Sequence, residues 1–204
     1  HEIKNPLTPM RLSVQSFHRK FDPNDPNIEQ KVEEFSDTLI TQIDTMSSIA
    51  SAFSNFAKMP AQQNETLNVP KIVKLALDIF NEDYILFSSE KEEIVAKFDR
   101  TQLIRVVTNL VKNAVQAVEK EKHPAVLVTV TEEDGRACLT VSDNGVGISE
   151  ENKEKIFEPK FTTKSSGMGL GLAMVKNIVE SCGGSIQFTS KLNKGTIFKV
   201  HFPK

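Results

Sequence analysis

The sequence predicts an α+β protein in which an N-terminal helical hairpin is followed by an α/β sandwich. In the first part of the chain, apolar residues recur at alternating spacings of four and three, which is typical of helices that pack along a seam. From residue 66 onward, short alternating stretches, glycine-containing turns and helical stretches predict one mixed sheet with helices on one face. We therefore divide the chain into a hairpin over 1–58, a linker over 59–65 and a second domain over 66–204.

Two apolar seams define the predicted hairpin. The first seam consists of Ile3, Leu7, Met10, Val14, Phe17 and Phe21. The second consists of Val32, Phe35, Leu39, Met46, Ile49, Phe53 and Phe56. Pro23 and Pro26 break the helix between them. Because one hairpin cannot bury both seams, we expect a homodimeric four-helix bundle, with packing against the second domain as the alternative.

Composition excludes some classes of function. The chain has 204 residues, 39% of them apolar, and a net charge of −2, which argues against a nucleic-acid partner held by bulk charge. Its two cysteines show no metal-ligand spacing and are expected to be buried thiols. No apolar run reaches membrane-spanning length, so we expect no membrane contact by this part. The chain begins at His1 without a Met, and we interpret it as a piece of a longer protein.

The second domain is predicted to alternate helices and short strands. Asp99 is expected to cap a long helix that runs from Arg100 to about Lys120. The remaining predicted elements are a helix over 70–80, strands over 84–87 and 94–98, and two hairpins over 126–142 and 185–202.

Four stretches of the second domain carry candidate ligand chemistry. In NLVKNA, Asn109 and Asn113 share one helix face, and an amide oxygen is a suitable ligand for Mg²⁺. In DNGVGI, Asp143 follows a strand and can accept a hydrogen bond from an exocyclic amine such as that of adenine, although an ordinary turn is the alternative. We expect the glycines of this stretch to let the backbone approach a flat ligand closely.

The other two stretches point to phosphate. GMGLGL, residues 167–172, leads into a helix, and free N–H groups at a helix N-terminus favour an anion. FEPKFTTK, residues 157–164, adds hydroxyl groups and a cation and is expected to act as a mobile lid.

Together and in this order, the four stretches resemble the nucleotide-binding domain of the HATPase (Bergerat) family, over about residues 66–204. The resemblance implies ATP with Mg²⁺, adenine on Asp143 and the metal on Asn113. The residues expected to line the ATP site are Asn109, Lys112, Asn113, Asp143, Gly145, Gly147, Ile148, Phe157, Thr162, Thr163, Lys164, Gly167, Gly169, Leu170, Gly171 and Leu172.

One position separates the branches of that family. Members that hydrolyse ATP place a glutamate where this chain has Asn109, and an amide cannot take a proton from water at neutral pH. The opening stretch HEIKNPLTP resembles the phosphoacceptor motif of sensor histidine kinases, and the wording of the motifs looks closest to the nitrogen-regulation type. The resemblance then extends over the whole chain.

The resemblance implies a mechanism and partners. His1, oriented by Glu2, attacks the γ-phosphorus, and the phosphoryl group then passes to an aspartate of a response-regulator receiver domain. Asn5 is a candidate for dephosphorylating the regulator, and Pro6 is expected to bend the helix near His1. We expect this part to be cytoplasmic, while the full-length protein could sit in the bacterial inner membrane.

Two other functions remain open. A degenerate kinase would bind ATP and dock a regulator without turnover, and Gln116, Lys160 and Met168 depart from the usual residues of the family. A conformational machine of the chaperone or topoisomerase kind would use ATP hydrolysis, which Asn109 argues against.

Overall fold

The structure is a computed structural model that describes residues 4–23, 25–57, 63–118, 123–159 and 169–203, without the side chains of 4–6, 45 and 47–57. The chain forms two compact units, His1–Pro60 and Ala61–Lys204, called here the hairpin unit and the C-terminal unit. Within the described residues, no helix is both long enough and apolar enough to cross a membrane.

The hairpin unit consists of α1 (Lys4–Lys20) and α2 (Ile28–Ala57), which pack against each other. The rings of Phe17 and Phe35 stack at 4.3 Å between centroids and join the two seams. Pro9 lies inside α1 and has no N–H to donate to the helix, a feature that the sequence analysis did not weigh. The bend at Pro6 and the dimeric bundle stay predictions.

Asp25 organises the loop between the two helices. Its Oδ1 accepts a hydrogen bond of 2.9 Å from the backbone N–H of Asn27, and its Oδ2 pairs with the ammonium of Lys31. The pairing with Lys31 holds the pKa of the Asp25 carboxyl below its ordinary value. The break that Pro23 and Pro26 predict is therefore a turn that the side chain of Asp25 stabilises.

The C-terminal unit is built around a five-stranded mixed sheet. Its strands lie in the order β2, β4, β5, β7, β6; β2 and β4 are parallel and the other pairs antiparallel. The strands of this sheet are β2 (Ile85–Ser89), β4 (Val126–Glu133), β5 (Arg136–Asp143), β6 (Ser185–Lys191) and β7 (Gly195–His201). The helices of the unit are α3 (Val69–Leu77), α4 (Arg100–Val118), α5 (Glu150–Lys153) and α6 (Gly171–Ser181).

The prediction of a single sheet is wrong. Strands β1 (Glu65–Asn68) and β3 (Val95–Phe98) form a separate antiparallel pair, and β1 begins inside the predicted linker. This pairing joins residues about thirty positions apart, and alternation along one strand does not identify such a partner. The sequence analysis also missed the short helix α5.

Helices cover one face of the five-stranded sheet, as predicted. Helix α4 begins where Asp99 Oδ1 accepts a hydrogen bond of 3.0 Å from the Gln102 N–H, so the predicted cap is confirmed. The apolar face of α4 and the facing strand residues form the core, which includes Leu103, Val107, Leu110, Val111, Val128, Leu139, Val141 and Val200. The opposite face of the sheet is open to solvent at Leu86, Leu127 and Ile197.

Both predicted hairpins are confirmed, and their turns have a local cause. Asp134 and Gly135, between β4 and β5, have φ values of 50° and 69°. Two consecutive left-handed residues match the twist of antiparallel strands, and an Asp-Gly pair favours that turn. Asn193 serves the β6–β7 turn with φ 59°.

Candidate functional site: the end of β5 and the start of α6

Asp143 lies at the end of β5 and is 8% exposed. Its Oδ1 accepts hydrogen bonds from two backbone N–H groups, Gly145 at 2.9 Å and Thr196 at 3.2 Å. These bonds hold the carboxylate in one orientation and compensate it for partial burial. The predicted adenine-recognising residue is therefore a fixed acceptor at a strand end.

The glycines around Asp143 are required by the protein itself. A Cβ on Gly145 would lie 2.3 Å from the carbonyl oxygen of Ala117 in α4, and one on Gly147 would lie 2.2 Å from that of Lys191. Gly195 has φ +101°, and its Cβ would lie 1.9 Å from the carbonyl oxygen of Asp143. Gly145 and Gly147 were predicted to let a ligand approach the backbone closely, whereas their tight contacts in the structure are with the protein's own backbone.

A hydroxyl network supports the same loop, and sequence reasoning missed it. Ser190 Oγ accepts a hydrogen bond of 2.8 Å from the Ile148 N–H and donates to the Gly195 carbonyl at 3.0 Å. It also lies 2.9 Å from Thr196 Oγ1, and the N–H of Thr196 binds Asp143. Strands β6 and β7 thus position the loop that follows β5.

Asn144 ties this loop to the segment that follows α4. Its amide donates to the carbonyl of His123 at 2.7 Å and accepts from the N–H of Ala125 at 2.9 Å. The sequence pattern DNGVGI predicted no role for Asn144. The sequence signal that could have indicated this role is the position of Asn144 directly before Gly145, the glycine that packs against α4.

The polar side of α4 brings the remaining stretches together. Asn109 Nδ2 donates to the carbonyl of Arg105 at 2.8 Å, and its Oδ1 lies 3.0 Å from the position a Cβ would take on Gly171, the first residue of α6. Ala117, eight residues further along α4, contacts the loop after Asp143. Since α4 rises about 1.5 Å per residue, the two glycine stretches meet one helix about 12 Å apart.

Asn113 lies between these contact points and is half-buried, while Lys112 is exposed. Among the described residues, the side chain of Asn113 has no hydrogen-bond partner. Its amide oxygen therefore fits the predicted role of a metal ligand.

The beginning of α6 fits a phosphate. Leu170 is its N-cap and supplies no side-chain hydrogen bond, so the first N–H groups of the helix have no side-chain cap. Gly169 precedes it with φ +62°. The uncapped start of α6 is thus a suitable anion site, and it comprises four of the predicted site residues: Gly169, Leu170, Gly171 and Leu172.

Phe157 has a packing environment that the sequence analysis did not anticipate. Its ring meets Phe188 at 5.8 Å and Phe198 at 6.4 Å, and the ammonium of Lys176 lies 5.4 Å from its centre. The contacts that the structure shows for Phe157 are thus with the sheet and α6.

Several predicted site residues lie outside the described residues. These are His1, Glu2, Thr162, Thr163, Lys164 and Gly167. Asn5 is described only as backbone of α1.

A mixed sheet with helices on one face, an aspartate at a strand end and a glycine-led helix agree with the predicted nucleotide-binding fold. The profile of the family described as "Histidine kinase-, DNA gyrase B-, and HSP90-like ATPase" matches residues 98–204, and the chain belongs to this family.

Relatives and solved structures narrow the resemblance. The chain is 31% identical over 195 residues to "Nitrogen regulation protein NtrY" of Azorhizobium caulinodans. The aligned region covers 92% of this chain and 25% of the relative. It therefore spans about a quarter of that protein's length. The predicted resemblance to sensor histidine kinases of the nitrogen-regulation type is confirmed.

Two structures of the histidine kinase ThkA agree in fold. Its catalytic domain matches with a TM-score of 0.62 and 31% identity, covering 70% of this chain and 96% of that one. ThkA in complex with the response regulator protein TrrA matches with a TM-score of 0.73 and 24% identity, covering 100% of this chain and 59% of that one.

Proposed function

We propose that this chain is the catalytic portion of a two-component sensor histidine kinase, which transfers the γ-phosphoryl group of ATP to His1 and then to an aspartate of a response regulator. The observation that carries the proposal is the combination, in one chain, of an ATPase-family domain whose base position is Asn109 with a helical hairpin that opens on HEIKNPLTP. An amide at position 109 leaves water without a general base, so another nucleophile must take the phosphoryl group.

The C-terminal unit binds and orients ATP in this proposal. The carboxylate of Asp143 accepts a hydrogen bond from the exocyclic amine of adenine, and the uncapped start of α6 binds phosphate oxygens. Asn113 would hold Mg²⁺, which supplies charge neutralisation at the phosphates when bound. Lys112 and Lys164 are further candidate charge partners, and Thr162 and Thr163 supply hydroxyl groups beside the same phosphates.

His1 supplies the nucleophile. A ring nitrogen of the neutral imidazole forms a bond to the γ-phosphorus, the bond from that phosphorus to the β–γ bridging oxygen breaks, and ADP leaves. Glu2 orients the imidazole by accepting the proton of its other ring nitrogen in a hydrogen bond. Catalysis by the chain itself consists mainly of positioning, because phosphoryl transfer needs little covalent chemistry from the protein.

The hairpin unit is proposed to form a homodimer. Leu7, Val14 and Phe21 of the first seam are 43%, 45% and 51% exposed in the single chain, although Phe17 is packed on Phe35. Residues seven apart lie on one side of a helix, so Leu7 and Val14 of α1 form an exposed stripe, and Phe21 follows directly after the helix end. A second copy of the hairpin is the occupant that a four-helix bundle provides.

The response regulator is the proposed second partner. ThkA binds the response regulator TrrA, and all of this chain aligns with 59% of the ThkA chain in that complex. We extend that kind of partner to this chain. Asn5, four residues after His1 in the sequence, is the proposed phosphatase residue, and Pro6 is the proposed point where the helix shifts between activities. Replacing Asn5 with Ala should slow dephosphorylation of a labelled receiver domain and leave labelling of His1 intact.

The test is incubation with γ-labelled ATP and Mg²⁺. The unaltered protein should acquire a label that is labile in acid and stable in base, and His1→Gln should acquire none. His18→Gln is the matched control, because it alters an exposed histidine of α1, and it should label normally. ATP binding without any label would instead favour a degenerate kinase that acts as a binding module.

A further inference from the structure

Three metal-ligating side chains converge on the open face of the five-stranded sheet. Cys138 on β5 is paired in register with His201 on β7 and with Thr131 on β4. Glu133 lies two residues beyond Thr131, and alternation along the strand puts it on the same face. The side-chain ligand atoms of Glu133, Cys138 and His201 all lie within 4.8 Å of one another.

This group is remote from the ATP site. Cys138 precedes Asp143 by five residues on β5, which corresponds to about 17 Å at the usual rise of a strand. Asp143 also faces the helices, whereas Cys138 faces the other side of the sheet. None of the roles proposed above uses Glu133, Cys138 or His201.

We propose that Glu133, Cys138 and His201 form a binding site for a divalent transition-metal ion of the zinc type. Thiolate, imidazole and carboxylate are the three ligand classes that zinc takes in proteins, and hard ions such as Mg²⁺ do not select a thiolate. Three protein ligands leave a fourth tetrahedral position for water. Because neighbouring strands carry the ligands, the sheet fixes their spacing before any ion binds.

The two oxygens of Glu133 have separate partners. Oε2 lies 3.2 Å from Nε2 of His201, and Oε1 lies 2.8 Å from the ammonium of Lys199. An ion between Oε2 and Nε2 would replace the hydrogen bond that these atoms now share. Lys199 can then keep its bond to Oε1 and act as the outer hydrogen-bond donor that orients a ligating carboxylate.

Cys138 supplies the most selective ligand. The residue is fully buried, and burial raises the pKa of its thiol. On binding, the S–H bond breaks, a bond from sulfur to the metal forms, and the proton goes to solvent. Glu133 and Cys138 then carry two negative charges that balance the dication, while Lys199 remains as the nearby positive charge.

The test uses the whole chain, purified with a chelator and titrated with Co²⁺ in place of Zn²⁺. A thiolate bound to Co²⁺ gives an ultraviolet charge-transfer band, and Zn²⁺ should abolish that band by displacement. Cys138→Ser should remove the band, whereas Cys182→Ser, which alters the other cysteine, should retain it. This readout does not depend on ATP or on kinase activity.

A second variant separates ligation from folding. His201→Gln keeps the thiol but removes the nitrogen ligand, and it should weaken Co²⁺ binding at least tenfold while leaving thermal unfolding in chelator nearly unchanged. The proposal is overturned if no charge-transfer band develops, if the band survives Cys138→Ser, or if His201→Gln binds Co²⁺ as tightly as the unaltered protein.

Discussion

Apolar side chains are distributed differently in the hairpin unit and the C-terminal unit. In the hairpin unit, none of the described side chains is buried, and Leu7, Leu12, Val14, Phe21, Val32, Ile40 and Ile43 are exposed. In the C-terminal unit, Phe98, Leu103 and Phe202 are completely buried, together with most of the apolar residues of α4. The C-terminal unit therefore carries its own core, whereas the described side chains of the hairpin include an exposed apolar surface, which the proposed dimer would cover.

The largest difference in stability between the two units should appear when an aromatic ring is removed from the core of the C-terminal unit. Phe98 and Phe202 form an edge-to-face pair at 5.1 Å, and both are fully buried. Phe98→Ala should lower the free energy of unfolding of the C-terminal unit by about 3–5 kcal/mol, because it removes a buried ring and leaves a cavity. Hydrogen exchange at the amides of α4 and β5 measures this directly.

Phe21→Ala in the hairpin unit is the matched control for that ring deletion. Phe21 is 51% exposed, so its loss should leave exchange in α4 and β5 unchanged. Equal effects of the two substitutions would refute the contrast between the units.

A second test asks whether the glycines of the site serve packing. Gly195→Ala should lower ATP affinity at least tenfold, because its methyl group would meet the carbonyl of Asp143 and displace that residue. Gly183→Ala is the control, since Gly183 also has positive φ, +79°, but nothing lies within 4 Å of its Cβ position. Both substitutions cost about 1–2 kcal/mol in backbone strain, so calorimetric titration with ATP isolates the clash.

A third test addresses the uncovered surface of the hairpin. Val14→Ser should weaken self-association about 10- to 100-fold, because completing the burial of a half-exposed valine contributes about 0.7–1.4 kcal/mol and the dimer carries the change twice. Val95→Ser alters a valine that is 53% exposed in the C-terminal unit, against 45% for Val14, and should not change association. Sedimentation equilibrium distinguishes the two results, and equal dissociation constants for both variants would contradict the proposed dimer interface.

The smallest effect should come from the hairpin loop. Since the folded-state pKa of Asp25 lies below its unfolded value of 3.8, its stabilising contribution is present above that value. The contribution is lost as the pH falls through the lower, folded-state pKa. Asp25→Asn should flatten this part of the pH profile of helix unfolding, followed by circular dichroism. Lys31→Gln should flatten it less, because the hydrogen bond from the Asn27 N–H to Asp25 remains, and the double variant should behave like Asp25→Asn alone.

The sequence predicted the elements whose signals are local. Asp99 as a cap, the Asp134–Gly135 turn and the apolar face of α4 each depend on neighbours within a few residues, and the structure confirms them. The separate β1–β3 pair was missed because its register depends on residues far apart in the chain.

The candidate site divides in the same way. Asp143 was predicted at a strand end and is found there. The roles of Ser190 and Thr196 could not be predicted, because a hydroxyl network between β6, β7 and the loop after β5 exists only once the sheet is formed. Gly145 was predicted to leave room for a ligand, but in the structure it leaves room for the backbone of Ala117. The sequence shows that a side chain is absent, and it does not show which atoms fill the space.

In the proposed mechanism, the γ-phosphoryl group of ATP bound to the C-terminal unit goes to His1 and not to water. The most direct measurement follows γ-labelled ATP in one reaction and quantifies both labelled protein and free phosphate. We expect the label on the peptide that contains His1, little free phosphate, and loss of the label in Asp143→Asn. Free phosphate produced in excess by a protein that stays unlabelled would contradict the account and indicate an ATP hydrolase.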